Sequence, residues 1–261
     1  MRLHSKLLSV VIFTFFMCFS FVPAHAMTAD EILQQVEKQN FNDNFRIVLS
    51  SKTLKGKKTV SENVIWLMGV RLGDKNAFFL DFEQPKESQG LRFLILVDAN
   101  KSAQAFMYLP ATGKTLPLAM DDPAADLGGT GLSVEDIQGF IPKADEKPSI
   151  LKEEQVDGKD CYVIRIEQPS DSSERQLWIT KKDFILLKTQ AVDRSGKVKR
   201  TFRVTEMFKT EQGREFPRAE EITIPEKDTR VLIRQENAVF GIEIPEEISD
   251  PAKFGTFRWK S

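Results

Sequence analysis

The chain has 261 residues, 37 Lys and Arg against 38 Asp and Glu, two His and two Cys. Such a charge balance provides no basic surface for nucleic acid or an anionic membrane. So few His and Cys leave no room for a disulfide framework, and the length suits one β-rich domain with a sizeable core.

The first element is a positive start, Arg2 and Lys6, followed by the apolar run Leu7 to Val22 and by Pro23-Ala24-His25-Ala26. That run is shorter than the ~20 residues of a spanning helix, and the small-x-small pattern after it is what signal peptidase reads. Residues 1–26 are therefore predicted to be a signal peptide cut after Ala26, leaving residues 27–261 as a single exported domain outside the cytoplasm. Cys18 follows Phe15-Phe16-Met17, where a lipoprotein signal needs small residues, so it is filler of the apolar segment. Removal of the segment takes both histidines, His4 and His25, and leaves Cys161 as the lone cysteine. The mature chain then carries 35 basic and 38 acidic residues, net −3 over 235. No intramolecular disulfide is possible, and stability must come from packing.

Thr28-Ala29-Asp30-Glu31 has the pattern of a capping box, which predicts a helix to about Asn40 with Ile32, Leu33 and Val36 on one face. Strand patterns follow at 45–49, 63–68, 77–82, 91–97 and 103–109, the last stopped by Pro110. Residues 110–149 hold five prolines and five glycines, so strand pairing is not expected through most of them. Within them Ser133 is the expected N-cap of a short helix with Glu135 and Asp136 in its first turn. Strands resume at 162–167, 175–180, 185–192, 198–208, 219–224 and 230–240. Arg200, Phe202, Val204 and Glu206 alternate there with Thr201, Arg203, Thr205 and Met207, as in a strand with one wet face. About eleven short strands, two helices and one long loop favour a single curved antiparallel sheet.

Loss of histidine removes Ser-His-Asp and Cys-His arrangements and the usual zinc ligands, so no catalytic residue, metal or cofactor is implied. Cys161 opens a strand and reads as packing. Asp121, Asp122 and Asp126 lack the spacing of a calcium loop. Glu220 and Glu221 are neighbours on a strand and point to opposite faces. What remains distinctive is aromatic content on strands, with 15 phenylalanines after residue 26. Aromatics on a curved sheet either fill its interior or enclose an apolar cavity.

Three stretches are specific in order and content: Phe93-Leu94-Ile95-Leu96, then Gln104-Ala105-Phe106-Met107-Tyr108-Leu109-Pro110-Ala111, then Gly129-Thr130-Gly131-Leu132-Ser133-Val134-Glu135-Asp136-Ile137. With Tyr162-Val163-Ile164, Leu177-Trp178-Ile179 and Ile244-Pro245-Glu246-Glu247-Ile248, this order resembles the LolA-like outer-membrane lipoprotein-sorting family. The chain departs from that pattern at Val134, where an aromatic residue often stands. The resemblance implies an incomplete antiparallel barrel, its concave side covered by a few helices, shielding acyl chains of lipids or lipoproteins between envelope membranes. A subgroup resembles companions of RND-type exporters, which implies an inner-membrane exporter or permease as a partner. A non-enzymatic accessory protein with a filled sheet is the alternative, and a hydrolase working without histidine comes third. If a cavity exists, Trp66, Phe79, Phe93, Phe106, Tyr108 and Trp178 are its expected lining.

Overall fold

The computed structural model describes residues 26–41, 43–119, 126–138, 142–143, 146–167, 173–209, 213 and 215–258. Apart from Ala26, the expected signal peptide lies outside them, as do Asp121 and Asp122.

Helix α1 (Ala29–Phe41) begins as its sequence requires. The Thr28 amide donates to Glu31 Oε2 at 2.7 Å, and the Glu31 amide donates to Thr28 Oγ1 at 3.2 Å. Each residue thereby satisfies an amide that the first helical turn leaves open. Ile32, Leu33 and Val36 bury one face of α1 in the main core.

Thirteen strands form one antiparallel sheet: β1 (Phe45–Lys55), β2 (Lys58–Leu72), β3 (Lys75–Gln84), β4 (Arg92–Val97), β5 (Ala103–Leu109), β6 (Lys114–Leu118), β7 (Lys147–Val156), β8 (Lys159–Glu167), β9 (Glu174–Thr180), β10 (Leu186–Val192), β11 (Val198–Lys209), β12 (Glu215–Ile224) and β13 (Thr229–Phe240). The spatial order is β6-β5-β4-β3-β2-β1-β13-β12-β11-β10-β9-β8-β7. The chain thus enters at the middle, steps outward to β6, crosses to the far edge at β7 and steps back until β13 pairs with β1. The edges β6 and β7 do not meet, so the barrel is incomplete.

The count exceeds the expected eleven because Lys114–Leu118 and Lys147–Val156 are strands, and both reach into the stretch expected to be mostly unpaired. Each contains a proline, Pro117 or Pro148, and each lies at an edge, where the missing N–H costs no ladder bond. Proline there also discourages pairing with another sheet.

Between these edges, helix α2 (Val134–Gln138) is capped by Ser133, whose Oγ accepts from the Asp136 amide at 3.3 Å. Residues 126–138 are fastened to the concave face. Ser61 Oγ donates to the Gly129 carbonyl at 2.7 Å, and Asn63 Nδ2 donates to the same oxygen at 3.3 Å. Gly131 has φ +75°, and a Cβ there would stand 2.3 Å from Val231 Cγ2, so glycine alone lets the crossover lie this close to β13.

Sheet alternation produces two cores. Phe45, Ile47, Leu49, Ile65, Leu80, Phe93 and Ile233 face the concave side with α1 and α2. Met68, Val70, Phe79 and Leu94 face the convex side, where Ile244, Ile248 and Phe254 from the C-terminal segment cover them. Arg92 holds that segment in place: its Nη1 donates to the carbonyls of Phe254, Gly255 and Phe257 at 3.3, 2.8 and 2.7 Å, and its Nη2 pairs with Asp81 at 3.0 Å.

Arg92→Ala should destabilise the domain by roughly 2–4 kcal/mol, since a charged donor to several buried acceptors is lost. Urea unfolding measures the loss, and limited proteolysis should cut first after residue 241. A segment as resistant to protease as in the wild type would show that Arg92 does not hold it.

Candidate functional site

A cavity of ≈ 160 Å³ lies between the concave face and its cover. Its sheet wall is built from Phe45, Ile47, Leu49, Leu67, Phe202 and Ile233, and its cover from Leu132 and Ile137. Phe45 has room to turn into the wall because its partner across the β1–β2 ladder is Gly69, where a Cβ would come within 2.2 Å of the ring. Phe216 and Phe240 complete one end, their rings edge to face with centroids 5.1 Å apart. Such edge-to-face pairs stabilise beyond the area they bury.

Two arginines on the concave face grip the cover. Arg200 pairs with Asp136 and donates to the Gly131 carbonyl at 3.1 Å. Arg175 pairs with Glu146, with side chains only 8% and 5% exposed. Burial pushes the Glu135 carboxyl above the usual glutamate range, with the charge of Arg175 opposing it. Removing either arginine would strand a buried carboxylate, a change that typically costs about 3–5 kcal/mol.

Glu220 is the unusual group in the wall. It points to the concave face, as its ladder partners Val204 and Ile233 do, and accepts from Gln235 Nε2 at 2.9 Å. Burial of its carboxyl pushes it up to about 7, while the Gln235 hydrogen bond pulls down and the nearby charge of Asp136 pushes up. Glu221 points the other way, to Arg230 at 2.7 Å, so the two carboxylates do not act together, as expected from strand geometry.

None of the six expected lining residues borders this cavity. Trp66, Phe79, Phe106 and Tyr108 belong to the convex core under the C-terminal segment, where a Cβ on Gly255 would stand 2.2 Å from the Tyr108 ring. Phe93 is on the concave side but packs against Phe82, centroids 5.7 Å apart. Trp178 is buried beneath Lys188, whose Nζ lies 4.0 Å from the ring centroid. Alternation states which residues share a face, but it is silent on which face closes over a space. The polar groups Asp136, Arg200, Glu220 and Gln235 were not among the candidates. Arg200 on the apolar phase of its strand was the available signal. Cys161 is fully buried, and burial pushes its thiol up, which suits packing. Among the described residues no cluster of His, Cys, Asp or Glu has the arrangement of a metal site.

Glu220 binds its proton more tightly in the folded chain, near 7, than at the ordinary 4.5 of an unfolded chain. Its contribution to stability is therefore full below about pH 4.5 and lost as pH rises to 7, on the order of 2–3 kcal/mol in all. Glu220→Gln should flatten this part of the pH–stability curve, leaving the variant more stable than wild type at pH 8 and similar to it at pH 5. Urea unfolding at the two pH values is the measurement, and a variant with the wild-type slope would refute the assignment.

The model of a family described as "Uncharacterized protein" matches residues 74–255. No curated protein matches the sequence. Among solved structures, a DUF1329 family protein from Desulfovibrio piger superposes with a TM-score of 0.75 at 16% identity, over 84% of this chain and 94% of that one. A putative outer membrane lipoprotein-sorting protein domain from Vibrio parahaemolyticus gives 0.73 at 16% identity, over 87% and 99%. A LolA superfamily protein from Nitrosomonas europaea gives 0.62 at 18% identity, over 85% and 97%. These identities speak to fold, and the fold is the one implied by the resemblance of residues 93–137, 162–164, 177–179 and 244–248. The chain belongs to the family whose model spans residues 74–255, and its architecture is LolA-like.

Proposed function

We propose that this protein is a periplasmic carrier that holds acyl chains of lipids or lipoproteins in the cavity under the crossover during transfer between envelope membranes. The observation that supports this most is the cavity itself: apolar walls from six strands, covered by a segment that belongs to no strand pair among the described residues. Burying acyl surface there yields about 25 cal/mol per Å², so a partly covered chain gains several kcal/mol without specific contacts. At ≈ 160 Å³ the space is below the roughly 300–1,000 Å³ of pockets for drug-sized ligands, so a longer chain requires the cover to shift. The names of two neighbours, an outer membrane lipoprotein-sorting domain and a LolA superfamily protein, agree with this reading. No described helix is long and apolar enough to cross a membrane. Release requires a receiver as apolar as the cavity, which an inner-membrane exporter or permease or the outer membrane would provide.

The protein purified without detergent should carry lipid in native mass spectrometry and, once stripped, should bind the neutral fluorophore N-phenyl-1-naphthylamine. Absence of both lipid and probe binding would sink the carrier reading. Phe216→Asp, at the half-buried end of the cavity, should weaken probe binding about tenfold or more with the fold intact by circular dichroism. Phe106→Ala, on the convex side, should lower stability by about 3–5 kcal/mol or less and leave binding unchanged.

A further inference from the structure

The polar groups of the cavity wall are Gln39, Asp136, Glu215, Glu220 and Gln235, and among the described residues no lysine or arginine lines it. Arg200, which reaches the cover from β11, pairs with Asp136 and donates to the Gly131 carbonyl. Glu215, at the aromatic end, pairs with Lys159 at 2.7 Å. Asp136 is divided in use. Its Oδ2 accepts from Arg200, from the Ser133 amide at 2.8 Å and from Ser133 Oγ at 2.7 Å. Its Oδ1 is buried with no hydrogen-bond partner, in a side chain only 4% exposed. A buried acceptor left open costs free energy until a donor reaches it. Glu220 stands near enough to feel the charge of Asp136 and has one donor, Gln235 Nε2, on Oε1. Arg200 Nε is buried without a partner as well, but Arg200 does not line the cavity, so the acceptors that do, Asp136 Oδ1 and Glu220, have capacity left beside apolar walls.

We infer that the cavity selects amphiphiles whose polar end is an N–H or O–H donor without negative charge, an amine or a hydroxyl, seated between Asp136 Oδ1 and Glu220. A carboxylate or phosphate head would bring further negative charge and acceptors to groups that already lack donors, in a setting of low dielectric. This rests on the carrier reading and adds the chemistry of the head group to it. The groups that act on Glu220 are Gln235 from β13 and Asp136 from α2, Asp136 being paired with Arg200 from β11, while Glu215, paired with Lys159 from β8, lines the same cavity. Discrimination is consequently strongest where Glu220 is ionised and weakens as it takes up its proton on acidification.

Displacement of N-phenyl-1-naphthylamine from the mature protein by dodecylamine, dodecanol and dodecanoate, each kept below its aggregation threshold, tests the inference. At pH 8 the amine and the alcohol should displace the probe at concentrations at least tenfold lower than dodecanoate, and the amine-to-alcohol ratio reports how far charge adds to donation. At pH 5.5 the gap should narrow, and in Glu220→Gln it should fall below about threefold at pH 8. Dodecanoate competing as well as the other two in the wild-type protein would overturn the head-group inference while leaving the carrier reading in place. Failure of the probe itself to bind would overturn both.

Discussion

A meander that begins in the middle of its sheet cannot finish without crossing it. Because β13 returns to pair with β1, the chain must travel from one edge, β6, to the other, β7, and on that route the described residues 126–138 lie over the concave face. Everything else follows from that constraint. The crossing segment cannot join the ladder, so its backbone groups need partners elsewhere. Ser61, Asn63 and Arg200 supply them from the face below. It must also lie flat against β13, and Gly131 over Val231 permits that.

The same constraint explains where buried charge sits. A segment stitched across an apolar face by polar contacts brings acids with it, and Asp136 and Glu146 are answered by Arg200 and Arg175 from the sheet. Buried ion pairs of this kind add little net stability relative to an apolar filling, but they fix one position for the segment. The cover is therefore well located without being densely packed, and the space beneath it is the cavity. A cover built from strands or long helices would have interdigitated with the wall and filled it.

Much of this fold was legible in the sequence. The Thr28 capping box, the Ser133 cap and the return to strands at β8 after a run of proline and glycine come from local chemistry, and local chemistry needs no knowledge of the whole. The opposed directions of Glu220 and Glu221 follow from the period of two. The two edge strands were not legible, because Pro117 and Pro148 argue against pairing unless one already knows that the strands lie at an edge. The cavity lining was illegible for a related reason. Trp66, Phe79, Phe106 and Tyr108 are aromatic and alternate correctly, yet they face the side that the chain covers with its own C-terminal segment. Nothing in β2 to β5 announces that Arg92 will fasten residues 254–257 there.

Both faces of this sheet are apolar over part of their area, and the chain covers each with a different kind of segment. On the convex side the cover brings Ile244, Ile248 and Phe254, the last two fully buried, and presses Gly255 against Tyr108 with no space between. That is the geometry of a permanent core, in which a vacancy the size of a side chain costs several kcal/mol. On the concave side the cover brings two apolar side chains to the cavity, Leu132 and Ile137, together with Asp136, whose Oδ1 has no partner. Apolar surface matched by the chain's own side chains is not available to a ligand, whereas apolar surface beside an unanswered acceptor is. Among the described residues it is therefore the concave face that would give the proposed amphiphile a free-energy gain on binding, and it lies under the segment that the topology keeps out of the sheet.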